Sequence, residues 1–211
     1  MSSPTLDLSE VRRLAIRNQG LSARRFGSLA ETFEALNCVQ VDPINVVART
    51  QHLVLHSRLG TSYSPDDLHR FAYEDKRAFH YWAHAASLVR TEDLPIHRSR
   101  MRRWPGDGPW GDRIRAWMKD NASFRRYILR RLDADGPLRA RDLEDRTVQP
   151  WASTGWTHGQ NVGRMLEFMW TKGEITVAGR MGLDRIWDRT DRWFPDWAPR
   201  TGWTDRRVTE E

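Results

Sequence analysis

The chain has 211 residues, enough for one large domain or two small ones and for a core without disulfide or metal staples. It carries 34 basic and 28 acidic residues, a net charge of +6, with 11 tryptophans and a single cysteine. A disulfide scaffold, a collagen-like chain and an acidic disordered segment are excluded, and Cys38 alone cannot build a cysteine-cluster zinc site.

The spacing of Leu8, Val11, Leu14 and Ala15 predicts a helix ending near Gln19-Gly20. A second follows Ser28, an N-cap three residues before Glu31, with Leu29, Phe33 and Leu36 on one face. Residues 38–43 alternate in β fashion until Pro43 stops them. A helix is expected around Arg49–Arg58, and another begins at Ser64-Pro65-Asp66-Asp67. Arg77 to Leu88 reads as one strand, with Phe79, Tyr81 and Ala83 on one side and His80, Trp82 and His84 on the other.

Residues 91–112 hold Pro95, Pro105, Pro109 and three glycines, and read as a connector. Within it the acid-free run 97–103 is either a solvated face or a phosphate contact through residues such as Arg102 and Arg103. Helices are then expected around Ile114–Met118 and Phe124–Leu132, with a short third after Gly136-Pro137. Val162, Met165, Leu166 and Met169 form a strong amphipathic stripe closed by Lys172-Gly173. Two strands, 175–177 and 183–187, flank a tip over 178–182. Helices followed by a hairpin with a glycine-rich basic tip give the order of a winged helix, and the first half suits a degenerate version of that unit. In such a fold the last helix and the wing meet DNA, which nominates Gln160, Asn161, Arg164 and Arg180. Winged helices also serve as protein-interaction modules.

All basic residues except Lys76, Lys119 and Lys172 are Arg. The guanidinium fork suits phosphate and guanine, although GC-rich coding yields the same bias. Gln40 and Asp42, two apart in an extended stretch, share a face while Val39 and Val41 point inward. An amide and a carboxylate so placed can orient water and stabilise the oxocarbenium-like transition state of N-glycosidic cleavage. An alkylated purine is already cationic and leaves without a second acid. Asp before Pro is equally ordinary turn chemistry. His52 and His56 have metal-compatible spacing but no Cys or zincin-type Glu beside them, and a surface role is preferred. His84 and Trp82 serve either packing or nucleic acid, and Cys38 reads as a small buried apolar side chain.

The stretch Cys38-Val39-Gln40-Val41-Asp42-Pro43-Ile44, followed by Arg49-Thr50-Gln51-His52-Leu53 and Arg58-Leu59, resembles the YcaQ/AlkZ-type winged-helix DNA glycosylases. So do Tyr81-Trp82-Ala83-His84-Ala85-Ala86-Ser87-Leu88, Trp170-x-Lys172-Gly173-Glu174-Ile175 and the residues from Gly179-Arg180 to Pro195. The resemblance implies a mainly α fold with short β-hairpins, a tandem winged helix-turn-helix. It implies excision of N-alkylated bases, including interstrand crosslinks, from duplex DNA, without metal or organic cofactor. Gln40-Val41-Asp42 is the Gln-x-Asp form of the family's catalytic motif. On that basis Asp42 activates water or stabilises the oxocarbenium ion, while Gln40 positions the water or the deoxyribose. Arg49, Arg58, Trp82 and His84 join the expected DNA contacts.

The resulting plan is a first winged-helix unit at 1–90, the connector at 91–112, a second unit at 113–195 and a Trp-containing tail at 196–211. Family members usually continue into a third winged helix and a β-barrel, so a fragment or truncation is expected, whose missing part would cover the aromatic run at 193–197. Arg90 stands where the family more often has proline. A non-catalytic winged-helix regulator and an inactive remnant are the rival readings. With no signal-like leader and no apolar run of the ~18–20 residues a bilayer needs, the expectation is a cytoplasmic monomer, nucleoid-associated when bound to DNA.

Overall fold

The computed structural model describes residues 5–22, 26–152 and 160–210, and these are mainly α-helical with two three-stranded antiparallel sheets. The chain divides into two units, 1–90 and 91–211, each carrying one sheet.

In the first unit α1 (Leu8–Asn18) starts at Asp7, whose carboxylate accepts from the Ser9 and Glu10 amides while Glu10 reaches back to the Asp7 amide. Its apolar residues recur as expected, yet none is buried. Ser28 caps α2 (Leu29–Leu36) through the Glu31 amide at 3.1 Å. Strand β1 (Cys38–Gln40) leads through an irregular segment to α3 (Thr50–Leu59). Helix α4 (Pro65–His69) has Pro65 in its first turn and a Ser64–Asp67 capping box, and continues as a π-helical turn through Glu74. The core joins Phe33, Val39, Leu55, Leu68 and Leu88, with Phe71 stacked on Phe33 at 5.1 Å.

The single strand expected over 77–88 is a hairpin. Strand β2 (Ala78–Trp82) turns at Ala83-His84-Ala85 into β3 (Ala86–Arg90), closed by the Ala83 amide on the Ala85 carbonyl at 3.0 Å. His84 therefore lies in a turn and shares no strand face with Trp82. The sheet order is β1-β3-β2.

The second unit opens with a helix where a connector was expected. Helix α5 (Leu94–Arg103) has Pro95 in its first turn, which an N-terminus tolerates, and buries Leu94, Pro95, His97, Ser99 and Met101. Helices α6 (Pro109–Asp120) and α7 (Ala122–Asp135) follow. The short helix expected after Gly136 is instead strand β4 (Leu138–Arg139) and a 3₁₀ turn at Ala140–Asp142, pinned by Arg139 on the Asp142 carboxylate. Helix α8 (Asn161–Thr171) buries Met165, Leu166 and Met169 completely. Truncating any of these to Ala would cost about 2–5 kcal/mol. Gly173, at φ +79°, ends the helix with its α-carbon against Met101, where a β-carbon would clash.

Strands β5 (Ile175–Met181) and β6 (Asp184–Arg189) form the wing, with a bulge between Val177 and Gly179. Both strands outrun their sequence-based bounds, so the tip narrows to Gly182-Leu183 and Arg180 is a strand residue. The sheet order is β4-β6-β5, so each unit joins its first strand to the last strand of a hairpin, the connectivity of a winged helix.

Helix α9 (Thr190–Trp193) buries Trp193, and Phe194 is buried with it, while Trp197 stays 46 % exposed. The final segment, with α10 (Asp205–Glu210), returns to α5: the Trp203 amide donates to the Pro95 carbonyl at 3.1 Å, and Ser99 and Arg102 both donate to the Trp203 carbonyl. It is packed chain where a tail was expected.

Candidate active site and nucleic-acid interface

The alternation of residues 38–42 carries directly into space. Val39 is buried and Val41 packs on the same core, so Gln40 and Asp42 emerge half-buried on the other side. Gln40 ends β1 opposite Ser87, and the Val41 amide adds one more ladder bond, 2.9 Å to the Ala86 carbonyl. Pro43 cannot donate, so pairing stops there. The freed Asp42 carboxylate accepts the Ile44 amide at 2.8 Å, an Asx turn that fixes its orientation.

The β2–β3 turn closes the site from the neighbouring strand. His84 Nε2 donates to Gln40 Oε1 at 3.3 Å, across 44 residues of sequence. The bond sets the amide: its oxygen faces His84 and its two N–H donors are free for another partner. Ser87 donates to the Ala85 carbonyl at 3.1 Å and stiffens the turn. Close by in β1, burial pushes the Cys38 thiol up and the Ser87 hydroxyl only partly opposes it, which leaves Cys38 a protonated, half-buried side chain. A carboxylate, an amide and an imidazole are thus the polar groups at the end of β1.

The other expected DNA contacts divide. Arg49 is the N-cap residue of α3 and half-buried, an electrostatically adverse place for a cation beside the positive end of a helix. Arg58 is a correction: it is 9 % exposed and its Nη1 donates to the Val54 carbonyl and to Ser57. The resemblance placed it at the DNA, whereas it braces α3. Trp82 is half-buried at the end of β2. His52, considered for metal spacing, is bonded through Nδ1 to Tyr63 Oη at 2.7 Å, and burial holds it below the usual histidine range. Among the described residues no group of three or more His, Cys, Asp or Glu is placed to hold a metal ion.

In the second unit Arg102 Nη2 is held by Ser99 Oγ at 2.8 Å and the Trp203 carbonyl at 2.7 Å, while Arg103 is exposed at the end of α5. Asn161 is half-buried and already engaged. Its Oδ1 accepts the Trp151 amide at 3.1 Å and its Nδ2 donates to Asp145 at 2.9 Å, so it clamps the loop before α8. Gln160 is exposed and Arg164 is paired with Glu167 at 2.8 Å. These three line an open cavity of about 190 Å³ with Trp151, Glu167 and Arg185. Arg180 lies directly across the wing from Arg185, a like-charge pair that isolated strands disfavour, and its buried Nε has no partner among the described groups.

Two features went unread in the sequence. Arg113 stands over the Trp151 ring at 4.4 Å and the Trp110 ring at 5.7 Å, in a cluster with Trp117 and Phe168. The Trp enrichment after residue 100 was the available signal. Also, the helix that follows α3 in the first unit is acidic, with Asp66 and Asp67 in its first turn and Glu74-Asp75 at its end. A helix of that charge repels phosphate.

The family model described as DNA glycosylase AlkZ-like matches residues 33–211, a span that includes both sheets and every candidate residue above. No solved structure matches the chain.

Proposed function

This chain belongs to the DNA glycosylase AlkZ-like family, and we propose that it removes N-alkylated purines from duplex DNA by means of Gln40, Asp42 and His84. Its enzyme class, a DNA-repair glycosylase, follows from that membership. The finer reading rests on one observation, the Gln40 amide oriented by His84 at 3.3 Å on the edge that also carries Asp42.

In this reading a water molecule attacks C1′ of the damaged nucleotide as the C1′–N bond breaks. The bonding electron pair goes to the alkylated ring, whose positive charge it cancels, so the base departs neutral without an acid catalyst. Asp42 takes the proton of the water and faces the cationic sugar, where a carboxylate stabilises the oxocarbenium-like transition state. Gln40 uses its N–H donors to position the water or a hydrogen-bond acceptor of the nucleotide other than the ring oxygen. His84 touches no reacting atom and acts as a positioning residue. The leaving group supplies its own electrophilic charge, so the scheme calls for no metal or organic cofactor.

A site at the end of a strand also suits lesions that cannot swing into a closed pocket, including purines crosslinked between strands. Arg49, Trp82, Arg103, Gln160, Arg164 and Arg180 remain the candidate duplex contacts. The test is a substrate panel of N7-methylguanine, a crosslinked purine and undamaged duplex, scored for abasic sites. Release confined to the alkylated substrates supports the reading, and equal release from undamaged DNA rejects it.

A further inference from the structure

The two most exposed large apolar side chains among the described residues, Val46 and Val47, lie four and five positions after the candidate carboxylate, with exposed Ile44 between. Val46 is 89 % exposed, Val47 87 % and Ile44 66 %. They occupy the irregular segment between β1 and α3, which bends at 46–48. Val41 is the last side chain of this stretch that packs on the core, and the core closes without the next three. A single exposed valine needs no account, but three such residues within four positions beside a polar site do.

The two ends of the segment say what meets it. It begins at Asp42, whose carboxylate accepts the Ile44 amide at 2.8 Å, so the reacting group and the first apolar residue are tied together. It ends at Arg49, a half-buried cation at the N-cap of α3. Carboxylate, apolar bend and cation thus follow in order, and the bend itself carries no charge. Four residues span at most about 14 Å. That reach lets the bend lie between bases while Asp42 stays at the sugar edge of a groove roughly 7.5 Å deep.

We propose that Val46 and Val47, with Ile44 at their base, form an apolar wedge that enters the base stack at the damaged step and holds it open. The wedge delivers Asp42 to C1′ and keeps bulk water from the gap, as apolar side chains do in proteins that unstack duplex DNA. This inference rests on the reading of Asp42 as acting on a base in duplex DNA.

The test uses the full chain carrying Asp42→Asn, so that the substrate persists, and a duplex with 2-aminopurine beside N7-methylguanine. Binding should raise 2-aminopurine fluorescence several-fold. Adding Val46→Ser and Val47→Ser should abolish the rise, with an unchanged Tm because the side chains touch no core. Val46→Thr with Val47→Thr, which keeps the shape, should retain part of it. A rise that survives the serine substitutions, or no rise in the parent, overturns the wedge. A Tm lowered by several degrees also overturns it, since the valines would then be packing on their own chain. Base release by the unsubstituted chain is read separately: release without unstacking defeats the wedge alone, whereas no release and no duplex binding defeats the underlying reading as well.

Discussion

His84 Nε2 lies 3.3 Å from Gln40 Oε1, joining a hairpin turn to the end of a strand that precedes it by more than forty residues. Because His84 is exposed, the contribution proposed for it is orientation of the Gln40 amide. His84→Ala should lower kcat for release of N7-methylguanine by about three- to tenfold, the worth of one hydrogen bond. KM and Tm should stay unchanged, and His84→Asn should restore part of the rate. An unaltered kcat in His84→Ala would remove His84 from the account.

Arg58 offers the opposite contrast. It is buried and spends Nη1 on the Val54 carbonyl and Ser57. Arg58→Ala should destabilise the first unit by about 1–3 kcal/mol, through lost packing and an abandoned carbonyl. The salt dependence of duplex binding should keep its slope, because no phosphate contact is lost. A slope reduced by about one, with unchanged Tm, would return Arg58 to the DNA interface.

Stability of the second unit should depend on pH through His97. Burial first, then the nearby Arg100, pushes His97 down to about 4 from the ordinary 6.5. The unfolded chain therefore binds a proton that the folded chain refuses across this interval, so stability is complete above 6.5 and declines as pH falls towards 4. Between pH 7 and pH 5 the loss from this group is about 2 kcal/mol. Urea midpoints at the two pH values should show it, and His97→Gln should remove most of the difference. An identical pH response in the variant would contradict the assignment.

Asn121 is the fully satisfied amide that fastens the loop before the Trp151 cluster. Its Oδ1 accepts the Val148 and Gln149 amides at 2.8 and 3.2 Å, and its Nδ2 donates to the Trp117 and Gln149 carbonyls, both at 3.0 Å. Asn121→Ala should cost about 3 kcal/mol, since it strands several buried groups at once. Hydrogen exchange should show the amides of Val148 and Gln149 losing protection. Full protection with unchanged stability would mean that the loop is held by other contacts.

Local chemistry was legible wherever one face had to be buried. The α8 stripe, the Ser28 and Ser64 caps and the alternation of Val39 and Val41 with Gln40 and Asp42 all appear in the structure as read. The β2–β3 hairpin was not, because Ala83-His84-Ala85 lacks the Gly, Asn, Asp or Pro that usually announces a turn. Helix α5 was hidden for the converse reason: Pro95 and Pro109 sit in first turns, where proline starts helices, yet resemble linker punctuation. The pairing of His84 with Gln40 depends on that unseen hairpin, so Gln40 and Asp42 could be nominated from the sequence while their neighbour was assigned to DNA contact. Arg58 was expected at the DNA because a resemblance in sequence cannot distinguish a buried donor from a solvated one.

Asp42 is the residue proposed to perform the chemistry of base release. Single-turnover excision of N7-methylguanine from duplex DNA, compared between the unsubstituted chain and Asp42→Asn, tests that role most directly. The substitution should slow release by at least about 100-fold, with duplex affinity unchanged. Release by Asp42→Asn at the unsubstituted rate would contradict that role.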